Sequence, residues 1–330
     1  MNIKILDKKT SPQTTEECLN FLMSLIPEEF FPNSRIARRV LRKKPDYQQI
    51  KTYFLNMLSQ NNVFIVQNNN TLLLLGMLKP IKFESSVFGK NMYTLKIYEN
   101  RTKNPSMNEK LEFMRQIIAF SIKAGIDHIS CKLDTGKYST INALEKTGFL
   151  LVSNLISYMY IRNVTKVSLW RTRYKIRGAK PEDKKVILAM TKNAFHGTRF
   201  YNDPYLDNDK CGELYEKWAV NCFENNWASS IFVAENSKND TVGYLTYLID
   251  RNLKRFFGII KGGGGISACL PEAKGAYPSL LAHSILDVPQ YDNSYGEYTT
   301  QAEHTEVLRM WHKFGLDYVK SELVFHKGLS

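Results

Sequence analysis

The chain has 330 residues, 43% of them hydrophobic and 23% charged, with a net charge of +13; that length allows two domains, and the composition is that of a folded chain rather than a disordered one. Its longest apolar run, Thr71 to Leu78, is far too short to cross a bilayer, and Met1 to Thr10 has no apolar stretch or small-residue cleavage site, so no membrane insertion and no secretory signal are expected, and the expected location is cytoplasmic. Cys18, Cys131, Cys211, Cys222 and Cys269 are scattered and never spaced C-x-x-C, and the six histidines form no H-E-x-x-H pattern, which argues against a zinc ribbon, a redox dithiol or a disulfide framework and leaves no metal motif.

The charge is uneven: residues 1–165 hold 23 Lys/Arg against 13 Asp/Glu, and residues 166–330 hold 22 against 19. A basic excess suits an anionic partner. The densest run, Arg35 to Lys44, places Ile36, Val40 and Leu41 at helical spacing and is followed by Pro45, so it reads as an amphipathic helix with a solvated basic face. No helix-turn-helix pairing accompanies it, and a nucleic acid partner is not expected.

Further along, Val63 to Val66 reads as a strand, Gln67 to Asn70 as a turn, and Thr71 to Leu78 as a second strand containing Gly76, together a hairpin signal. Leu111 to Ala124 reads as a helix stopped at Gly125, Ile126 to Leu133 as a strand, and Asn142 to Thr147 as the end of a helix closed by Gly148. The strand-like Leu150 to Tyr160 follows. Residues 166–190 form a link, with a strand-like stretch from Tyr174, a turn at Pro181, and Asp183 as the expected cap of a helix Lys184 to Ala194. The order then repeats. Ile231 to Glu235 and Thr241 to Ile249, the latter containing Gly243, read as a hairpin. Tyr277 to Leu286 reads as a helix, Tyr295 to Ala302 as a strand, and Leu308 to Phe314 as a helix end closed by Gly315 before the strand Tyr318 to Phe325. Gly76 and Gly243 are 167 positions apart, as are Gly148 and Gly315. The expected class is therefore α/β, with α+β mixed sheets in two duplicated halves.

The halves differ at one place. Gly262 to Gly265 and the strand-like Ile266 to Leu270 lead into a short turn holding Lys274 and Gly275, which opens an apolar helix. Free amides and a partial positive charge make a helix N-terminus a phosphate cradle. The matching stretch 167 positions earlier, Pro105 to Leu111, has no glycine, so only the second half is expected to keep the cradle.

With Glu272-Ala-Lys-Gly275-Ala-Tyr277 on the loop and Tyr298 to Leu316 on the last strand and helix, the chain resembles the GNAT superfamily of acyl-CoA N-acyltransferases. It is similar in particular to the tandem-half, bacterial dTDP-fucosamine acetyltransferase type. That likeness is carried by Phe83-Glu-Ser-Ser-Val-Phe88-Gly89, Leu144 to Val152, Ala194-Phe-His-Gly-Thr-Arg199-Phe200 and Tyr215-Glu-Lys-Trp218. The resemblance implies two GNAT-like halves, each a mixed, mostly antiparallel sheet flanked by helices. Residues 1–60 would be a helical extension of the first half, 61–165 a degenerate half, and 166–330 the half that binds acetyl-CoA, with no metal.

The resemblance further implies an N-acetyltransferase acting on an amino sugar, expected to be nucleotide-linked and destined for surface polysaccharide. Ala268, Cys269, Leu270, Ala273, Lys274, Gly275, Ala276 and Tyr277, with His304, would hold the coenzyme. His196, Arg199, Phe200, Tyr201, Asp203 and Trp218 would meet the acceptor. Trp311, His304, Tyr298 and Glu297 are the catalytic candidates. Three positions depart from the family pattern: Tyr277 ends the loop, His304 replaces the usual Asn, and Trp311 replaces the Tyr thought to protonate the departing thiolate. An indole N–H donates a hydrogen bond but releases no proton near neutral pH, and Tyr277, Tyr295, Tyr298 and His304 are the neighbouring proton sources. Glu303 and His196 join Glu297 as candidate bases. A tandem-fold aminoacyl-tRNA-dependent peptide ligase and an inactive CoA-binding module are the competing readings. A homodimer is compatible with all of them.

Overall fold

The structure, a computed structural model, describes residues 2–6, 12–32, 34–41, 43–69, 71–100, 102–162, 165, 174–286 and 294–329. Three expectations fall partly outside them: the start of the linking segment at 166–173, Arg42 of the basic run, and Asn70 of the first hairpin turn.

The chain begins with strand β1 (Asn2–Leu6) and four helices, α1 (Pro12–Ser24), α2 (Ile26–Phe30), α3 (Ser34–Val40) and α4 (Tyr47–Gln60). Then come β2 (Asn62–Asn68), β3 (Thr71–Pro80), α5 (Lys82–Phe88), β4 (Met92–Glu99), α6 (Met107–Lys123), β5 (His128–Asp134), α7 (Tyr138–Lys146) and β6 (Leu150–Ile161). The second series is β7 (Lys175–Gly178), α8 (Lys184–Ala194), α9 (Asn208–Glu224), β8 (Ser230–Glu235), β9 (Thr241–Asp250), α10 (Asn252–Phe257), β10 (Lys261–Cys269), α11 (Ala276–Leu286), β11 (Tyr295–Gln301), α12 (Thr305–Lys313) and β12 (Asp317–Gly328). The repeated order read from the sequence is present, and Gly148 and Gly315 end their helices at matching φ of 81° and 82°. The sequence reading had no β1. It also made Asp183 a side-chain cap; the Asp183 carboxylate instead accepts from Arg177, Thr241 and the amide of Lys180, and makes no bond to the first turn of α8.

All described strands join one 12-stranded sheet in the order β1-β2-β3-β4-β5-β12-β6-β11-β10-β9-β8-β7. The last strand of each series crosses into the other: β12 lies between β5 and β6, and β6 pairs with β11. The expectation of two sheets, one per half, is thereby met by a single continuous sheet whose central strands are exchanged. One face carries α1 to α4 with α10, and further along α8 and α9; the other carries α6, α7, α11 and α12. Ile36, Ala37 and Val40 of α3 are buried while Arg38 and Arg39 stay at the surface, and Arg39 reaches Asp317 at 3.5 Å.

The two series differ at their parallel pair. In the first, β4 and β5 pair over four residues, Met92 to Leu95 with His128 to Cys131. In the second, β10 and β11 pair only at Lys261–Tyr295 and Gly262–Gly296, then separate. Just beyond, β10 shifts register against β9 between Gly264 and Ser267. Such a bulge adds a residue to one strand and bends it. Glycine is required at the start of the split, because a Cβ on Gly263 would lie 2.1 Å from the carbonyl oxygen of Glu297.

Candidate active site

The split between β10 and β11 opens a cleft of about 670 Å³ that passes through the sheet. On the side of α11 and α12 it is lined by Tyr277, Tyr298, Thr300, His304 and Trp311, and on the side of α8 and α9 by Arg199, Phe200, Tyr215 and Trp218. Ser267, Ala268 and Cys269 form its edge. Beyond Gly262 this edge of β10 has no paired strand, so its backbone groups are open to a ligand. Ser153 Oγ, buried and without a hydrogen-bond partner among the described residues, belongs to a residue of the same lining.

At the mouth, the chain turns at Gly275, with φ +93°, into α11. The amides of Ala273, Lys274 and Ala276 are engaged within the turn, donating to Leu270, Glu272 and Ala273. Those of Gly275 and Tyr277 donate to no carbonyl among the described residues. They sit at the positive end of an 11-residue helix whose next residue is Pro278, which fits an anionic group such as a coenzyme phosphate. Tyr277 turns its ring inward, and its hydroxyl accepts a 2.8 Å hydrogen bond from Trp311 Nε1. Burial raises the Tyr277 pKa well above its usual value, and the indole hydrogen bond opposes that rise only in part. Tyr298 is buried, its hydroxyl 3.3 Å from Ser284 Oγ, and burial pushes its pKa well up. His304 stands just before α12, with Nδ1 2.8 Å from Thr300 Oγ1.

On the opposite side, the Arg199 guanidinium lies 4.6 Å from the Phe200 ring centroid and 3.9 Å from Glu84, with about a third of its side chain exposed. Trp218 is half-buried and stacks on Tyr215 with the planes 2° apart. The loop that carries Arg199 is pinned from behind. Asn202 Nδ2 donates to the Val152 carbonyl at 3.0 Å. Asp203 Oδ2 lies 2.7 Å from both His128 Nε2 and His326 Nδ1, and its Oδ1 accepts from the Tyr205 amide. Burial alone would raise the Asp203 pKa, but these hydrogen bonds hold it well below the carboxylate range.

The ligand atoms of His128, Asp203 and His326 lie within 4.8 Å of one another, close enough to suggest a metal site. However, their near nitrogens are committed to the carboxylate. The far ones, His128 Nδ1 and His326 Nε2, have no partner among the described residues, whereas a metal-bound imidazole normally anchors its second nitrogen. The cluster reads as a lock between the loop, β5 and β12.

Of the residues named from the sequence, the cleft thus gathers Ala268, Cys269, Tyr277, Tyr298, His304 and Trp311 with Arg199, Phe200 and Trp218. Leu270, Ala273, Lys274, Gly275 and Ala276 make the turn at its mouth. His196 is exposed outside the lining with its ring against Tyr201, which also stays outside, and Asp203 is committed to the lock. Glu297 faces away into a second chamber. There, burial pushes its pKa up, but Lys261 at 2.7 Å and Lys320 at 3.8 Å more than offset that and hold it below the usual range. A carboxylate so held is a better hydrogen-bond acceptor than a base. Glu303 lines the cleft and is exposed. Thr299 and Thr300 line the cleft but are not among the residues named from the sequence, and Tyr215 is named there only as part of a motif. The alternation along β11 was the available signal for the first two.

No family model matches the chain. The curated spore coat polysaccharide biosynthesis protein SpsD of Bacillus subtilis is 22% identical over 153 residues, which span 46% of this chain and about half (50%) of that protein. Among solved structures, a GCN5-related N-acetyltransferase from Sphaerobacter thermophilus matches at TM-score 0.63 and 11% identity, covering 99% of this chain and 96% of the other. A tandem GNAT protein from the clavulanic acid pathway matches at TM-score 0.56 and 7% identity over 100% and 99%. The glucosamine N-acetyltransferase region of a fungal multi-domain β-N-acetylglucosaminidase matches at 0.60 and 10% over 99% of this chain and 38% of that one. The fold is therefore that of the tandem GNAT proteins.

Proposed function

We propose that the protein is an N-acetyltransferase that moves acetyl from acetyl-CoA to the amine of an amino sugar, nucleotide-linked and used in surface polysaccharide. The observation that carries this reading is the cleft between β10 and β11, which combines an unpaired strand edge, a helix N-terminus at its mouth and a donor–acceptor pair of side chains inside. The names of the fungal region and of the Bacillus relative point the same way.

When bound, acetyl-CoA supplies an acyl thioester whose C–S bond breaks as the acceptor's C–N bond forms. The free amides of Gly275 and Tyr277 would hold the pyrophosphate, with Lys274 adding a cation. A backbone N–H of Ser267 to Leu270 would donate to the oxygen on which negative charge develops. Tyr277 would give its phenolic proton to the departing sulfur, and water in the cleft would carry the proton released by the amine back to the phenolate. Arg199 would fork onto acceptor phosphate oxygens, and Phe200 and Trp218 would bound the acceptor.

Acetyl-CoA should raise the melting temperature, since a ligand that binds only the native state stabilises it. Thiol release should follow with 4-amino-4,6-dideoxyhexose sugar nucleotides as acceptors. A protein that neither binds acetyl-CoA nor releases thiol with any amino sugar would overturn the reading.

A further inference from the structure

Behind the split lies a second chamber of about 390 Å³, on the sheet face away from α11 and α12. It shares Gly264 and Thr299 with the cleft, so the two spaces meet where β10 and β11 part. Its floor is a row of alternating charges from four strands, β5, β12, β11 and β10. Lys261 lies 2.7 Å from Glu297, Lys320 3.8 Å from Glu297 and 3.0 Å from Glu322, and Lys132 3.5 Å from Glu322. The carboxylates are sheltered, with Glu297 and Glu322 side chains 10% and 16% exposed, and the lysines remain more open. Phe30 and Phe31, at and just after the end of α2, form an apolar wall.

The row sets three lysines against two carboxylates, but Glu29 and Asp250 belong to the same lining and bring its carboxylates to four, so the chamber as a whole presents no surplus of positive charge to a phosphate. Hydroxyl groups, which both donate and accept, match such an alternation: each can donate to a carboxylate and accept from a neighbouring ammonium. An ammonium would also find acceptors in Glu297 and Glu322. The volume lies near the lower end of the roughly 300–1,000 Å³ usual for small-molecule pockets, room for one polar ring rather than a ring with its nucleotide.

We propose that this chamber is the subsite for the sugar ring of the acceptor. The ring hydroxyls lie on the Lys132–Glu322–Lys320–Glu297–Lys261 row, and the amine turns toward Gly264 and Thr299, where the chamber opens onto the cleft. The proposal rests on the acetyl-transfer reading. It gives α2 a direct part in the site, as the wall that closes the ring in, and it makes Glu297 a binding carboxylate.

The test is binding of free D-glucosamine, D-galactosamine and 4-amino-4,6-dideoxyhexose to the full chain with acetyl-CoA present, by saturation-transfer NMR and calorimetry. Lys261→Ala and Lys132→Ala remove half-exposed side chains and leave each carboxylate another lysine, so the fold should survive. Each should weaken the sugar about tenfold, the loss of one charge-assisted hydrogen bond, while acetyl-CoA affinity stays unchanged; Lys261→Arg should restore part of the loss. Sugar binding that is indifferent to both alanine variants and lost in Trp218→Ala would overturn the proposal in favour of the Arg199 and Trp218 side of the cleft. Pyrophosphate that displaces the sugar, and itself weakens in Lys261→Ala, would show an anion site and overturn it too. If the wild type binds acetyl-CoA but none of the sugars, this inference fails alone; if it binds neither, the acetyl-transfer reading fails with it.

Discussion

Trp311 Nε1 donates to the phenol oxygen of Tyr277 at 2.8 Å, tying α12 to α11 inside the cleft. An indole nitrogen only donates, so the phenol must accept here and turn its own proton elsewhere. With its pKa raised by burial, Tyr277 is protonated at neutral pH, and its phenolate, once formed, has a donor already in place. A phenol hydroxyl thus stands beside Trp311, contributed by the neighbouring helix. Tyr277→Phe should lower kcat for acetyl transfer by about 100-fold, within the range for loss of a general acid, with the Kd for acetyl-CoA unchanged. The double variant Tyr277→Phe/Trp311→Tyr, which returns a phenol to α12, should recover part of the loss. Thiol-release kinetics and calorimetry check both, and an undiminished kcat in Tyr277→Phe removes this residue from the proton path.

Gly275 offers a separate test of the coenzyme cradle. A Cβ there would meet nothing closer than the Tyr174 ring at 3.9 Å, so space is not the constraint. The constraint is φ of +93°, which an L side chain rarely adopts. Gly275→Ala should therefore pull the turn out of shape and swing away the amides of Gly275 and Tyr277. Acetyl-CoA affinity should fall about tenfold or more, for a strain of 1–3 kcal/mol. Calorimetry reads this directly, and unchanged affinity would place the phosphates elsewhere.

Much of this architecture is written in local signals. The hairpins around Gly76 and Gly243, and the paired helix stops at Gly148 and Gly315, depend on turn chemistry and periodicity within a few residues. The exchange of β6 and β12 does not: both read as ordinary strands, and which neighbour each one pairs with is decided by contacts more than a hundred residues away. The site divides in the same way. Tyr277, His304, Trp311 and Arg199 stood out through motif and position. Lys132, Lys320 and Glu322 look like surface charges in isolation, and only the exchanged strands bring them onto one floor. Glu297 stood out as a candidate base, but its ion pairs with Lys261 and Lys320, which hold its pKa down, join strands far apart in the sequence and were not legible there.

The loop lock predicts a pH dependence. Burial outweighs the Asp203 hydrogen bond and lowers the His326 pKa from 6.5 to about 4. Between those values the unfolded chain binds the proton and the folded chain does not, so stability rises with pH there and is lost as pH falls from 6.5 to about 4. The magnitude is about 3 kcal/mol. Asp203, whose folded pKa is depressed, adds a loss of the same sign at lower pH. Melting temperature should therefore drop across this window, and His326→Asn should flatten the drop while lowering stability at neutral pH. A wild-type profile flat from 6.5 to 4 would contradict a buried, neutral His326.

The split itself can be closed to experiment at one atom. Gly263 lies where β10 leaves β11, and a methyl group there would fall 2.1 Å from the Glu297 carbonyl oxygen, with the carbonyl carbon at 3.2 Å and the amide nitrogen at 3.3 Å. These are backbone atoms, which cannot swing aside as a side chain end can. Gly263→Ala must therefore push β11 away from β10 or unpair Lys261 and Gly262 from Tyr295 and Gly296. Such overpacking costs about 1–3 kcal/mol, readable as a lower denaturation midpoint. The displaced atoms are the backbone of Glu297, so the sugar chamber should suffer more than the α11 turn. Amino-sugar affinity should fall further than acetyl-CoA affinity. Gly76→Ala provides the contrast: its Cβ would meet the Phe113 ring at 2.7 Å and Ile117 at 3.3 Å, both side chains in the first half. That variant should lose stability with both affinities intact once folded. Equal loss of both ligands in Gly263→Ala would mean that the two chambers do not report separately on the gap between the strands.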